Sequence, residues 1–324
     1  MMMKKFAVFL LLFLITGCSK AAVTGDVVKE SIPSEVGKEM EVYFCPLDNC
    51  TTSLVRAVNM SKKSLHCALF DIDLQELIGV LAEKSNLLDV KLVVDNENYG
   101  KITGPGVRKD TSSQFSHNKF CVVDGSVVTT GSFNPTYNGA YKNNNNLLVI
   151  YSKYLAKNYE DEFIEIWRGD FGKGDKVKYP VMYINNHEVE NYFCPDDKCS
   201  SEIIDEISKA EQSVYFMTFS FTDEGIADAL LFNDKIDIKG LFEKTGASGQ
   251  YSQYKRLKDF GIDVRVDSNP KFMHHKVFII DNMTVITGSM NPTGSGDHSN
   301  DENILIIHDK SIAKKYVDEF ERLY

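Results

Sequence analysis

The chain has 324 residues, 43% of them hydrophobic and 25% charged, which suits a folded protein of about two domains and excludes a disordered or fibrous one. Its formal net charge of −10 excludes a protein that coats nucleic acid nonspecifically, because such binding sets Lys and Arg against phosphates. Any phosphate site must therefore be basic only locally.

In chain order, Lys4 and Lys5 precede an apolar run from Phe6 to Ile15 and then Thr16-Gly17-Cys18-Ser19. The run falls well below the roughly 20 residues a membrane-spanning helix needs, so residues 1–18 read as an export signal. Ile-Thr-Gly-Cys resembles a bacterial lipoprotein box, which implies cleavage before Cys18, lipidation of its thiol, and a membrane-anchored protein facing outside the cytoplasm. Residues 19–40 are polar and aperiodic, as in a tether between an anchor and a folded body.

Two similar frames follow, Cys45-Pro-Leu-Asp-Asn-Cys50 and Cys194-Pro-Asp-Asp-Lys-Cys199. Export permits disulfides, and a Pro-led turn can close a five-residue separation, so Cys45–Cys50 and Cys194–Cys199 are expected as local staples. A four-thiolate zinc site built from both pairs is the alternative.

The two frames belong to a duplication. Tyr43-Phe44-Cys45-Pro46 recurs as Tyr192-Phe193-Cys194-Pro195, and Ser64 and Phe70 recur as Ser213 and Phe219, at an offset of 149. His117, Gly131-Ser132 and Glu162-Phe163 recur as His274, Gly288-Ser289 and Glu319-Phe320 at an offset of 157. Each half reads as a short helix (about 52–60 in the first), a strand (64–70), and a helix carrying Leu74, Leu77, Ile78 and Leu81. A strand at 88–94 follows, then a hairpin turning at Asp124-Gly125-Ser126, a strand at 147–151 and an amphipathic helix at 154–167. This predicts an α/β fold of two lobes, 41–168 and 191–324, each a mixed sheet flanked by helices, joined by a linker at 169–190.

The first half contains His117-Asn-Lys119-Phe-Cys-Val-Val-Asp124, then six residues, then Gly131-Ser132-Phe-Asn134. The second contains His274-His-Lys276-Val-Phe-Ile-Ile-Asp281, then six residues, then Gly288-Ser289-Met-Asn291. Residues two apart on a strand share a face, so each histidine projects beside its lysine, while His275 points the other way and reads as a solvated edge. Gly131 and Gly288 are expected where backbones approach closely.

Both copies meet in full the H-x-K-x4-D-x6-G-S-x-N signature of the phospholipase D superfamily, which the chain resembles over nearly all residues beyond 40. The resemblance implies one active site at the lobe interface and a catalytic set of His117, Lys119, Asp124, His274, Lys276 and Asp281. One histidine would attack phosphorus while the other protonates the leaving oxygen and then activates water. Lys119, Lys276, Asn134 and Asn291 would hold the phosphoryl oxygens, so no cofactor and no metal is expected. Ser132 and Ser289 would support the site, and Asp124 and Asp281 would be structural partners of buried charges.

Twenty-eight positions after His274 stands Glu302, where the family commonly has an acid orienting a histidine; the same spacing from His117 reaches Asn145. If each orients the histidine of its own motif, His274 has the higher pKa and suits the general acid, leaving His117 as the nucleophile. Cys67 and Cys121 align with Phe216 and Phe278 and read as small core residues, with a third disulfide left open. Trp167 reads as core, and Lys255, Arg256, Lys258, Arg265 and Lys271 as a solvated face. The expected activity of this monomer is hydrolysis of phospholipid head groups to phosphatidic acid. The alternatives are a metal-independent endonuclease acting on DNA or RNA, and an inactive envelope scaffold that binds anionic head groups.

Overall fold

The computed structural model describes residues 31–233 and 235–324; the segment expected to be an export signal, Cys18 and most of the expected tether lie outside them. The first half forms a seven-stranded sheet in the order Glu41–Cys45, Asn145–Tyr151, Val127–Gly131, Lys119–Val123, Ser64–Leu69, Asp89–Val94 and Val107–Lys109. The second repeats this order as His187–Cys194, Glu302–His308, Thr284–Gly288, Lys276–Ile280, Ser213–Thr218, Asp237–Phe242 and Asp263–Val266. Val181–Ile184 and Ser34–Glu35 extend that second sheet to nine strands, so the segments expected to be linker and tether each supply a strand, the tether's at the edge.

The duplicated hairpins turn where two successive residues have positive φ: Asp124 and Gly125 (51° and 59°), then Asp281 and Asn282 (53° and 55°). Two-residue turns of this hand match the twist of the strands they join, and Asp, Asn and Gly adopt them at least cost. The helices Lys153–Arg168 and Lys310–Leu323 begin at Ser152 and Asp309, whose side chains accept from the first-turn amides.

Both long helices bury their apolar faces in a core shared by the two sheets, where Tyr159, Phe163, Tyr316 and Phe320 pack with Phe120, Val122, Val277 and Ile279. Separate cores lie on the outer faces, under Cys50–Asn59 and Gln75–Ser85 in one half and Cys199–Ser208 and Glu224–Phe232 in the other. The motif strands are consequently buried on both faces. That overturns the expectation for His275, which is fully buried with Nε2 3.2 Å from the Glu319 carboxylate rather than solvated.

Cys45–Cys50 and Cys194–Cys199 are disulfides, and Cys67–Cys121 is a third, joining directly opposed residues of adjacent strands. Six sulfurs paired in this way leave no thiolates for the zinc alternative. Trp167 packs against the central core with Arg108 over its ring, and Lys255 and Arg256 pair with Asp259 and Asp228 on the surface.

Candidate active site

The two halves cross where each motif begins. The His117 amide donates to Asp301 O (3.0 Å) and the His274 amide to Asn144 O (2.8 Å), so each motif is anchored on the residue just before the other half's last strand. Gly131 (φ 128°) and Gly288 (φ 154°) let these strands close up: a Cβ there would lie 2.5 Å from Asn146 O and 2.2 Å from Asn303 O.

Asn146 and Asn303 bolt the interface. Asn146 Nδ2 donates to Thr287 Oγ1 and Tyr316 OH, both at 2.6 Å, across the interface. Asn303 Oδ1 accepts from Thr130 Oγ1 and Tyr159 OH, both at 3.0 Å, and its Nδ2 donates to Asn118 Oδ1 at 2.6 Å. Ser132 and Ser289 serve them from behind: Ser132 Oγ donates to Asn146 Oδ1 (2.7 Å), and Ser289 Oγ accepts the Asn303 amide (2.9 Å).

The histidine partners are crossed as well. Both carboxylate oxygens of Glu302 lie 2.8 Å from His117 Nδ1, and Asn145 Oδ1 lies 2.8 Å from His274 Nδ1. The expectation that Glu302 and Asn145 each orient the histidine of their own motif is therefore wrong, and the role assignment built on it loses its premise. Spacing along the chain was equal in both halves and could not tell a partner in the same half from one across the interface. Asn145 Nδ2 donates to Gly139 O at 3.0 Å, which turns Oδ1 to the ring. Nδ1 of His274 also meets Ser132 O (3.1 Å). With acceptors at both Nδ1 atoms, each ring carries its hydrogen there and leaves Nε2 free.

Both imidazoles open on one cavity of about 570 Å³, lined also by Asn134, Asn291, Phe70, Phe115, Phe219 and Phe272. Oδ1 of Asn134 and of Asn291 is buried without a hydrogen-bond partner, leaving each amide nitrogen as the pole toward the cavity. Lys119 and Lys276 lie beneath, each donating to the carbonyl of its own histidine and each over a phenylalanine ring, 5.2 Å from Phe70 and 5.0 Å from Phe219. From each histidine an aromatic strip leads outward: Phe70 at 4.7 Å from His117 and Phe115 at 5.5 Å beyond it, Phe219 at 4.8 Å from His274 and Phe272 at 5.5 Å beyond it. All four phenylalanines recur between the halves, and that self-alignment was the signal for them.

Burial lowers the pKa of His117 to about 4, against the raising effect of Glu302; it lowers His274 well below the imidazole range, aided by Lys276 and Lys119. Burial also brings Lys119 down to about 7 and Lys276 well below the usual lysine range. An anion bound among these groups would favour their protonated forms.

Asp124 and Asp281 are not part of this constellation. They sit at the far ends of the motif strands, where Asp124 accepts from the amides of Lys62, Lys63 and Ser64, and Asp281 from those of Glu211, Gln212 and Ser213. They are neither catalytic nor partners of buried charges; they tie the hairpin to the loop before the neighbouring strand.

Two imidazoles open on one cavity, with two buried lysines behind them and two asparagine amides beside them, and this set defines a phosphodiesterase site. The chain belongs to the phospholipase D-like family: it matches the family described as cardiolipin synthase, PLD-like domain, over residues 54–167 and 203–324. It is 32% identical over 144 residues to a phospholipase D of Rickettsia prowazekii, covering 44% of this chain and 70% of that protein. It is 35% identical over 136 residues to a mitochondrial cardiolipin hydrolase of Xenopus laevis, covering 40% and 65%. A phosphatidylserine synthase structure from Haemophilus influenzae shares the fold across both halves, with a TM-score of 0.66 at 13% identity over 87% of this chain and 85% of that one. The protein is a phosphodiesterase hydrolase.

Proposed function

We propose that the protein hydrolyses phospholipid phosphodiesters, releasing a head-group alcohol and leaving phosphatidic acid, through a phosphohistidine on His117. The observation that carries the mechanism is the pairing of Glu302 with His117 and of Asn145 with His274. Attack by His117 Nε2 forms a P–N bond and makes a ring that still holds its Nδ1 hydrogen and therefore carries positive charge. A buried carboxylate on that hydrogen stabilises the charge for the lifetime of the intermediate, which a neutral amide cannot do.

His274 takes a proton once the anionic substrate is bound and delivers it from Nε2 to the leaving alkoxide as the P–O bond breaks. Held by two neutral acceptors, it gives that proton up readily. In the second step His274 Nε2 removes a proton from water, which attacks phosphorus, and the P–N bond breaks to return His117. Lys119, Lys276, Asn134 and Asn291 hold the non-bridging oxygens throughout.

A lipid substrate fits the aromatic strips that lead to the histidines, the acidic net charge, and relatives named for phospholipid hydrolysis. Three disulfides fit an exported protein, which we place outside the cytoplasm on a lipid attached to Cys18. The test is to assay the purified protein in parallel on phosphatidylcholine vesicles, plasmid DNA and bis(p-nitrophenyl) phosphate. Release of choline with phosphatidic acid is expected. Plasmid cleavage without choline release would replace the lipid reading with a nuclease, and inactivity on all three would leave a scaffold.

A further inference from the structure

The pseudo-two-fold relation between the halves makes each part of the cavity mouth comparable with its counterpart, and one lip departs from the other. On the first, the helix Tyr137–Tyr141 presents Tyr137 (56% exposed) and Tyr141 (46% exposed), with ring centres 5.2 Å apart. On the second, the equivalent helix Gly294–His298 has Gly294 and His298 at those positions. Both helices are capped alike, Thr136 Oγ1 accepting from Gly139 N and Thr293 Oγ1 from Gly296 N, each at 3.0 Å. The fold therefore builds this helix without tyrosines, and their presence on one side has no packing cause.

The tyrosines are continuous with more of the same surface. Asn269 Nδ2 donates to Lys142 O (3.1 Å) and to Phe272 O (3.3 Å), which stitches the end of the tyrosine helix to the segment carrying Lys271 and the 42%-exposed Phe272. Lys142 Nζ stands 5.9 Å from the Tyr137 ring centre, and Lys142 and Lys271 are both exposed. Their counterparts on the other lip are Ser299 and Gln114. Phe272 has an equally exposed counterpart in Phe115 (both 42%), so the lips differ by Tyr137, Tyr141, Lys142 and Lys271, which stand on one of them against Gly294, His298, Ser299 and Gln114.

We propose that Tyr137, Tyr141 and Phe272, with Lys142 and Lys271, form a docking surface for a phospholipid bilayer with anionic head groups, seating the cavity mouth on the membrane. The proposal deepens the phospholipid reading and rests on it for the choice of partner. Aromatic rings with a polar tip favour the head-group level of a bilayer, and each lysine near an anionic surface adds attraction. Phe272 carries the surface inward to Phe219 and His274, so a lipid rising out of the bilayer stays against aromatic rings until its phosphate reaches the imidazoles. Aromatic rings could also stack nucleic-acid bases, but such platforms accompany a basic groove along the backbone, and two lysines in a chain of net charge −10 do not make one.

The experiment compares the full-length protein with its Tyr137→Ser/Tyr141→Ser variant on bis(p-nitrophenyl) phosphate in solution and on vesicles of phosphatidylcholine with phosphatidylglycerol. Neither tyrosine touches the reacting groups, so the soluble ester should be turned over within about twofold of the parent rate, while vesicle turnover should fall at least about tenfold. An equal loss on both substrates, or no loss on vesicles, overturns the proposal. A Tyr141→Trp variant reports locally and without catalysis. Its fluorescence, measured against the parent with its single Trp167, should shift to the blue with these vesicles. No shift, or a response to a single-stranded oligonucleotide alone, overturns the lipid surface. A blue shift in a protein that hydrolyses no phospholipid would keep the surface and remove the substrate reading.

Discussion

Glu302 belongs to the second half of the chain and His117 to the first, yet both oxygens of the one stand 2.8 Å from Nδ1 of the other. Replacing the carboxylate by an amide keeps an acceptor at that place and removes its charge. Glu302→Gln should lower turnover by about 10² to 10⁴, the upper end being the loss seen when the carboxylate of a catalytic triad is neutralised, with the melting temperature little changed. Asn145→Asp, behind the other ring, should cost less than about tenfold. Comparable losses from the two variants would show that the asymmetry has no part in the reaction.

Trapping a ³²P-labelled substrate by acid-free denaturation and mapping the labelled peptide should place the phosphoryl group on His117. The His274→Ala variant should still accumulate label from an activated ester with a good leaving group, because that first step no longer needs its proton. Label on the peptide carrying His274 would reverse the roles.

Lys119 has a pKa of about 7 in the empty cavity, below its ordinary 10.5, because burial disfavours its charge. A bound oxyanion favours the ammonium, so its pKa rises in the complex, and binding takes up protons between the two values. Inorganic phosphate or tungstate should bind at pH 8 with net proton uptake, measured by calorimetry in buffers of different ionisation enthalpy. Affinity should weaken as pH rises above 7, by up to about tenfold per unit for each coupled proton. Proton release on binding would refute this account of the floor. On the proposed mechanism lysine and asparagine side chains hold the phosphoryl oxygens, so turnover should also persist in excess chelator.

Asn303→Ala would take one partner each from Thr130, Tyr159 and Asn118 in the buried interface, Thr130 and Tyr159 keeping only their bond to each other. Stranded buried polar groups cost about 1–3 kcal/mol each, partly relieved by rearrangement, so a loss of about 3 kcal/mol and a clear fall in melting temperature are expected. Denaturant unfolding of the variant checks this, and a change below about 1 kcal/mol would mean that the network is not what joins the halves.

The three disulfides should differ in weight. Cys67–Cys121 closes a separation of 54 residues, against 5 for each of the others. Chain entropy gives about 4 kcal/mol for the long loop and about 2 kcal/mol for a short one. The Cys67→Ala/Cys121→Ala variant should therefore lose more stability than either hexapeptide pair removed in the same way, as read from denaturation midpoints.

Much of this was legible in the sequence because duplication repeats its signals. The motif residues, the hairpins at Asp124 and Asp281, and the Cys45–Cys50 and Cys194–Cys199 staples all rest on local spacing that sheet and turn geometry fix. What could not be read depends on contacts between distant segments. Alternation gives the face of the strand on which His275 lies but not what covers that face, and here a second layer does. The resemblance implies Asp124 and Asp281 in the catalytic set, although a strand of five residues, roughly 3.3 Å each, separates them from the histidines. Tyr137 and Tyr141 carried a signal of the opposite kind, a failure to recur, which self-alignment passes over.

The exchange of histidine partners also bears on how such a chain could arise. A half whose histidine needs an acceptor from elsewhere is incomplete alone, and two identical halves could satisfy each other only as a symmetric pair, with the same acceptor behind both rings. Joining them through residues 169–190 frees each acceptor to change without changing its twin. Asn145 and Glu302 record that freedom: two separate copies of one gene product cannot hold an amide behind one ring and a carboxylate behind the other. Fusion thus makes it possible for a molecule built on near-symmetry to distinguish the two ends of the bond it cuts.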